Sequence, residues 1–280
     1  MKTLMLADLH LVLDGVRDHY REDYQDHVIF PTIKNILKHH PDIGCVLIAG
    51  DVFEDVFDLY KVGRITETIN PFVKLHDIFN DIPVVFCLGN HEFACSTIGF
   101  THEAYNYSFN ISPYKNITCL DNSGHRIIEN EGKRYLVVGN VLWYDGNCSD
   151  RQDREALYNN ISSNWLDHTI AGFNAKEASS ACVKQIKENL SEHDDCDVKI
   201  LLTHCVPHRK LNLHDANSFA NVYSGFGDLF NTQDISVDWA ICGHTHKRVT
   251  AEIETPKGLC KCINVGQDYW DGLKFDLLEI

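Results

Sequence analysis

No stretch of the 280 residues approaches the ~18 consecutive apolar residues of a membrane-spanning helix, so nothing reads as a membrane segment. The opening Met1-Lys2-Thr3-Leu4-Met5-Leu6-Ala7 is too short an apolar run for a signal peptide and reads as a first strand. Positive charge is in deficit: 25 Lys and Arg against 40 Asp and Glu leave a formal net charge of −15. A chain this acidic has no global positive field to gather nucleic acid, which counts against a long DNA footprint. Phosphate substrates stay open, because bound divalent cations reverse the local sign of a carboxylate-rich site. Repeats, low-complexity tracts and a convincing linker are also missing, and one domain over 1–280 is the economical reading. Cysteine is plentiful, at 11, but a disulfide framework is absent: the number is odd, the spacing scattered, and several lie inside apolar runs such as 84–88. Such cysteines read as small hydrophobes in a reducing compartment, and the expected location is the cytoplasm. Cys260-Lys261-Cys262 reads as alternation along a strand rather than as a redox or metal pair.

What is present is a folded α/β pattern, with 44% hydrophobic and 23% charged residues. Apolar runs at 2–7, 45–49 and 83–88 alternate with helical spacing at 26–40 and 63–79, the signature of a parallel sheet with right-handed crossovers. The segments 116–121, 126–129 and 134–141 read as a meander of consecutive strands. Residues 150–175 are polar and Asn-rich, a loop with a short helix, and 176–190 is helical by apolar spacing. Strands at 198–202 and 237–242, a hairpin over 248–264 and an edge strand at 273–280 complete the chain.

Each apolar strand stops at a polar cluster. The ends deliver Asp8 and His10, then Asp51, then Asn90 and His91 in Gly89-Asn90-His91-Glu92, then His204, then His244 and His246. Parallel strands bring such C-terminal ends to one edge of a sheet, where ligands gather in α/β folds. Carboxylate, imidazole and amide donors without a thiolate suit two divalent ions such as Mn, Fe, Zn, Co or Ni, with Mn favoured and Asp51 the candidate bridge. Two such ions ~3.5–4 Å apart would hold a bridging hydroxide for in-line attack on phosphorus. His91, beside a ligand but not one itself, is the candidate acid for the leaving oxygen, with Glu54 its candidate carboxylate partner. His208 and His214 are candidates for substrate contact. Trp143 and Tyr144, at a strand end, could stack on a base or sugar ring or simply fill the core. Tyr105, Tyr107 and Phe109 could form a lid or a pocket wall or equally lie buried against the body, and His19 reads as solvent-facing.

The series Asp8-x-His10, Gly50-Asp51, Gly89-Asn90-His91-Glu92, Thr203-His204 and Gly243-His244-x-His246 resembles the calcineurin-like metallophosphoesterase superfamily, in the family's order. The resemblance implies a four-layer α/β/β/α sandwich, two facing mixed sheets flanked by helices. It also implies a ligand division: Asp8, His10 and His246 for one metal, Asn90, His204 and His244 for the other, Asp51 bridging. Protein Ser/Thr phosphatases of the superfamily carry Asp followed by Arg-Gly where this chain has Glu54-Asp55-Val56, and His followed by Gly-Gly where it has His204-Cys205-Val206. The strand ending Gly139-Asn140-Val141-Leu142-Trp143 and the Asn264-Val265-Gly266 turn resemble those of the stand-alone bacterial or phage phosphoesterases. The resemblance thus implies a metal-dependent phosphoesterase acting on a small phosphomonoester or phosphodiester, nucleotides being the favoured class. Two other readings stand beside it: a single-strand nuclease, since the superfamily's break-repair nuclease shares the motifs, and a protein-binding scaffold like the retromer subunit. Oligomeric state is open.

Overall fold

The computed structural model describes residues 1–12, 23–54, 71–105, 114–267 and 272–280. Among the described residues eleven strands follow in chain order: β1 (Lys2–Leu6), β2 (Cys45–Ala49), β3 (Val84–Cys87), β4 (Ile117–Cys119), β5 (His125–Asn130), β6 (Lys133–Asn140), β7 (Val198–Thr203), β8 (Trp239–Cys242), β9 (Arg248–Thr255), β10 (Gly258–Val265) and β11 (Asp276–Glu279). They form a five-stranded sheet ordered β11-β1-β2-β3-β4 and a six-stranded sheet ordered β5-β6-β7-β8-β10-β9. In the first, β1 to β4 pair in parallel and β11 closes the edge antiparallel to β1. In the second, β6, β7, β8 and β10 are parallel, with antiparallel hairpin partners at both edges.

Period-two alternation sends successive side chains of each strand to opposite layers. On the first sheet Met5, Cys45, Leu47, Val85 and Cys87 face inward and meet Val137, Ile200, Leu202, Ile241 and Ile263 of the second. Their neighbours Leu4, Leu6, Val46, Ile48, Val84 and Phe86 face outward, onto Ile33 and Ile36 of α1 (Phe30–His39) and Phe72, Leu75 and Phe79 of α2 (Pro71–Phe79). The outer face of the second sheet carries Leu136, Val138, Leu201 and Ala240 against Val183 and Ile186 of α3 (Ala175–Glu192) and Leu229 and Phe230 of α4 (Leu229–Gln233). The result is the expected helix, sheet, sheet, helix sandwich. Every residue of β2 and β3 is buried, as parallel strands covered on both faces require.

One expectation is corrected. Segment 116–121 does not join the meander: β4 pairs in parallel with β3, so the chain leaves one sheet and enters the other between β4 and β5. Asp121 secures that crossing, accepting from Leu88 N at Oδ2 (2.6 Å) and from Val141 N at Oδ1 (2.9 Å). The helix read at 26–40 opens as a π turn over Gln25–Ile29 before α1. Cys260 and Cys262 are buried and Lys261 exposed on β10, the alternation expected of them. Tyr105 is a core residue, its ring 6.2 Å from Phe72 and 6.5 Å from Phe86. His19, Tyr107, Phe109, Asp55, Val56 and the 63–70 part of the second helical pattern lie outside the described residues.

Candidate metal centre

The chain turns sharply at each strand end. Asp8, His10, Asp51, His244 and His246 all sit at positive φ (49°, 45°, 46°, 69° and 53°), a region that costs non-glycine residues ~1–3 kcal/mol each. Such a run of left-handed residues persists only where the surrounding sheets overdetermine it. Glycine beside them is a spatial requirement. A Cβ on Gly50 (φ 74°) would lie 2.4 Å from His204 Nδ1, and one on Gly89 would lie 2.0 Å from Asp51 Oδ1. These two close approaches let loops from different strands reach one point.

At that point the ligand atoms crowd together. His204 Nε2 lies 3.1 Å from Asn90 Oδ1, 3.0 Å from His244 Nδ1 and 3.3 Å from Asp51 Oδ2. Other groups claim the protons nearby: the far ring nitrogen of His204 bonds Ala49 O (3.0 Å), that of His244 bonds Tyr223 O (3.0 Å), and Asn90 Nδ2 donates to Asp167 (2.9 Å). Backbone carbonyls can only accept, so they take the imidazole N–H and turn both lone pairs inward. Acceptors therefore converge on acceptors, and a positive charge between them is the group that fits. In the protein alone that demand falls on His204: burial opposes its charge, but Asp51 outweighs burial and raises its pKa to about 10. Burial and the His204 charge push His244 the other way, down to about 3.

A second cluster lies beside the first. Asp8, His10 and His246 present ligand atoms within 4.8 Å of one another. Asp8 Oδ1 accepts from His244 N (3.0 Å) and Oδ2 from Gln267 N (3.3 Å), which fixes the carboxylate plane. Asp51 Oδ2, already against His204, is 3.8 Å from His10 Nε2. This single carboxylate oxygen thus reaches both sets, which is what a bridging ligand requires.

Glu54 and His91 form the flank. Glu54 Oε1 lies 2.6 Å from His10 Nδ1 and 3.0 Å from His91 Nδ1, and the two rings stand edge to face 4.6 Å apart. Burial favours a neutral Glu54, yet the bonds to His10 and His91 prevail and hold it far below the usual carboxylate range. Burial likewise opposes charge on His91, but Asp51 and Glu54 outweigh it and raise its pKa to about 9. With Nδ1 engaged, His91 Nε2 points to the centre, 3.9 Å from Asp51 Oδ2, on a side chain 22% exposed. Glu92 beside it is fully buried and accepts from Phe53 N (2.8 Å) and Gly89 N (2.6 Å), fixing the turn that carries Asn90 and His91.

Residues 1–248 match the family described as calcineurin-like phosphoesterase. The chain belongs to that family. Its fold is similar to a phosphopantetheinyl hydrolase from Mycobacterium tuberculosis, at 15% identity over 96% of this chain and 89% of that one, with a TM-score of 0.59. It is also similar to a dimetal phosphatase from Danio rerio, at 11% identity over 95% and 87% of the two chains, with a TM-score of 0.50. No curated protein matches the chain. Membership makes this a hydrolase of phosphate esters and implies a dinuclear divalent metal centre, to which the clustered Asp and His residues correspond.

Within this phosphoesterase, Asp8, His10, Asp51, Asn90, His204, His244 and His246 are brought together, with Glu54 and His91 beside them. Four other candidates are held by packing or bonds of their own. Trp143 and Tyr144 present no face to solvent: they are 1% and 0% exposed, with Trp143 packed on Phe173 (4.5 Å) and Phe93 (5.2 Å). Positive φ at Leu142 (62°) and Trp143 (21°) accompanies this inward turn. His208 is a cap, its Nδ1 accepting from Lys210 N (3.0 Å), and His214 Nε2 bonds Thr245 O (3.1 Å). Asp167 is the residue that sequence reasoning missed. It lies in a 3-10 turn (Leu166–Thr169) of the polar 150–175 segment, fully buried, accepting from Asn90, Tyr144 and Trp165. Burial raises its pKa against those three donors. The one cue in the sequence was an acid set between Trp165, Leu166 and Ile170 in an otherwise polar stretch.

Proposed function

We propose that this phosphoesterase holds two divalent cations, Mn being the favoured ion, and hydrolyses small phosphomonoesters or phosphodiesters, nucleotides being the favoured class. Asp8, His10 and His246 would hold one ion, Asn90, His204 and His244 the other, and Asp51 both. The observation that carries this is the convergence of Asn90 Oδ1, His204 Nε2, His244 Nδ1 and Asp51 Oδ2, with the imidazole and amide protons engaged elsewhere. When bound, the cations draw charge from phosphoryl oxygens and bring the pKa of a water molecule toward neutrality. The chain's own groups do the rest. Glu54 fixes the His91 ring through Nδ1, so that Nε2 carries the proton delivered to the leaving oxygen. The imidazolium also faces the negative charge that develops on the phosphoryl group. Glu92 and the Gly89 turn hold His91 and Asn90 on one rigid corner, so acid and ligand keep a fixed separation. Free cysteines, most of them buried, favour a reducing compartment, the cytoplasm. The acidic chain favours a small phosphate ester over a long nucleic acid.

The test is release of p-nitrophenol from p-nitrophenyl phosphate and its bis ester after chelation and reloading with Mn, with metal content measured on the same sample. Turnover of at least one ester that depends on the added metal is expected. A metal-loaded protein inert toward both would overturn the assignment.

A further inference from the structure

Asn90 is the weakest point of the ligand set, because the two ends of a carboxamide have nearly the same shape and opposite chemistry. Its oxygen can face a cation and its NH2 cannot. The environment must therefore choose the end. Asp167 Oδ1 lies 2.9 Å from Asn90 Nδ2, while Oδ2 accepts from Tyr144 Oη (2.9 Å) and from Trp165 Nε1 (2.9 Å). Asp167 and Tyr144 are fully buried, so solvent cannot substitute for these partners. The packing around them is rigid: Tyr144 stands edge to face on Tyr223 (5.3 Å) and Trp165 stacks on Tyr223 (4.9 Å). Tyr223 in turn receives the His244 bond through its carbonyl.

We propose that Asp167 is a positioning residue: its carboxylate, held by Tyr144 and Trp165, selects the Asn90 rotamer that turns the amide oxygen into the metal centre. The inference rests on the reading of Asn90, His204 and His244 as ligands of one cation. An ionised carboxylate offers only acceptors, so Asn90 meets it with NH2. The reverse rotamer would set Asn90 Oδ1 against Asp167 Oδ1, two acceptors with nothing between them. Trp165 closes the remaining freedom, since an indole N–H is a donor only and keeps an acceptor oxygen on its side of residue 167.

The substitution Asp167→Asn is nearly isosteric and tests this directly. Trp165 and Tyr144 would hold the new amide's oxygen, its NH2 would face Asn90, and Asn90 would turn over and withdraw its oxygen. Calorimetric titration with Mn into metal-free wild type is expected to give two bound equivalents. In Asp167→Asn one equivalent should bind as in wild type and the other ~10–100-fold more weakly, the usual scale for loss of a ligand's supporting partner. Titration with Co(II) should show the same loss as a changed visible absorption of the second equivalent. The double variant Asn90→Asp with Asp167→Asn restores a matched pair, amide donor to carboxylate acceptor, with an oxygen again turned inward. It should recover the second equivalent to within a few-fold of wild type, which a merely structural role for Asp167 would not produce. Where Asp167→Asn fails to fold, the double variant still decides, binding two equivalents if the pairing is right and one if it is wrong. Wild-type affinity for both equivalents in Asp167→Asn, or no recovery in the double variant, overturns the inference while leaving the metal centre intact. A wild type that binds fewer than two equivalents overturns the metal-centre reading and this inference with it.

Discussion

Glu54 serves two histidines with one oxygen, and the substitution Glu54→Gln separates charge from shape. The introduced amide's carbonyl could still accept from His10 Nδ1 and His91 Nδ1, now 2.6 and 3.0 Å from Oε1, but without a negative charge. Unit charges ~4 Å apart interact by ~4 kcal/mol at an effective dielectric of ~20. His91 is 22% exposed, so solvent screens part of this. About half, or ~1.5 pKa units at ~1.4 kcal/mol each, is a reasonable remainder. The sign follows from which form Glu54 favours. It stabilises the imidazolium, so it raises the His91 pKa, and the variant lowers it. Bound cations would engage Asp51 and cancel much of its share of the value of about 9, leaving Glu54 as the main support. A reaction that needs protonated His91 loses rate as pH rises through that pKa. The alkaline limb of the kcat profile should therefore move down by ~1.5 units in Glu54→Gln. The assay is kcat against pH on an alkyl phosphomonoester at saturating Mn, which offsets any weakening of His10 as a ligand. An alkaline limb at the same pH in both proteins would refute the coupling of Glu54 to His91.

His91→Asn should lower kcat by ~10²–10⁴ while metal content stays that of wild type. The loss should be larger for an alkyl than for a p-nitrophenyl ester, because a good leaving group needs less protonation; equal losses would remove the proton-donor role. Addition of Mn at ~100 times Kd should stabilise the fold by ~2.7 kcal/mol for each of the two ions, raising the melting temperature by ~10 °C over a chelated sample. Identical melting curves with and without Mn would argue against a preformed site. Trp143→Ala should cost ~3–5 kcal/mol in denaturant unfolding with KM unchanged, as a fully buried ring requires. Unaltered stability beside a raised KM would instead return Trp143 to the substrate.

Much of the fold was legible because the sheets carry strong signals. β2 and β3 are unbroken apolar runs, bounded by turns, and their burial on both faces is what such runs encode. β4 was misassigned for the opposite reason: three residues have no measurable period, and only the register against β3 says which sheet they join. The clustered Asp and His residues were legible because each follows a strand immediately, and strand direction alone decides where it emerges. Trp143 and Tyr144 also end a strand, but sequence shows position and not facing. The turn at Leu142 and Trp143 directs the Trp143 ring onto Phe93 and Phe173. Asp167 was hidden because it acts through hydrogen bonds from an aperiodic segment, and no spacing rule links residue 167 to residue 90.

The centre and the packing of the two sheets are one structure. Asp8, His10, Asp51 and Asn90 follow strands of the first sheet, and His204, His244 and His246 follow strands of the second. Direct bonds made by these groups also run from sheet to sheet: His204 to Ala49 O, His244 N to Asp8 Oδ1, and Gln267 Nε2 to Asp8 O. Each proposed cation would therefore take ligands from both sheets, joining them at the edge where their strands end. Five residues in left-handed conformations and several facing acceptors are an unfavourable arrangement in isolation. The buried seam of Met5, Leu47, Val85, Val137, Ile200, Leu202 and Ile241 supplies the rigidity that holds them. The apolar interior thus stabilises an edge that the polar groups alone would open, and the geometry of the edge is set by the register of the strands beneath it.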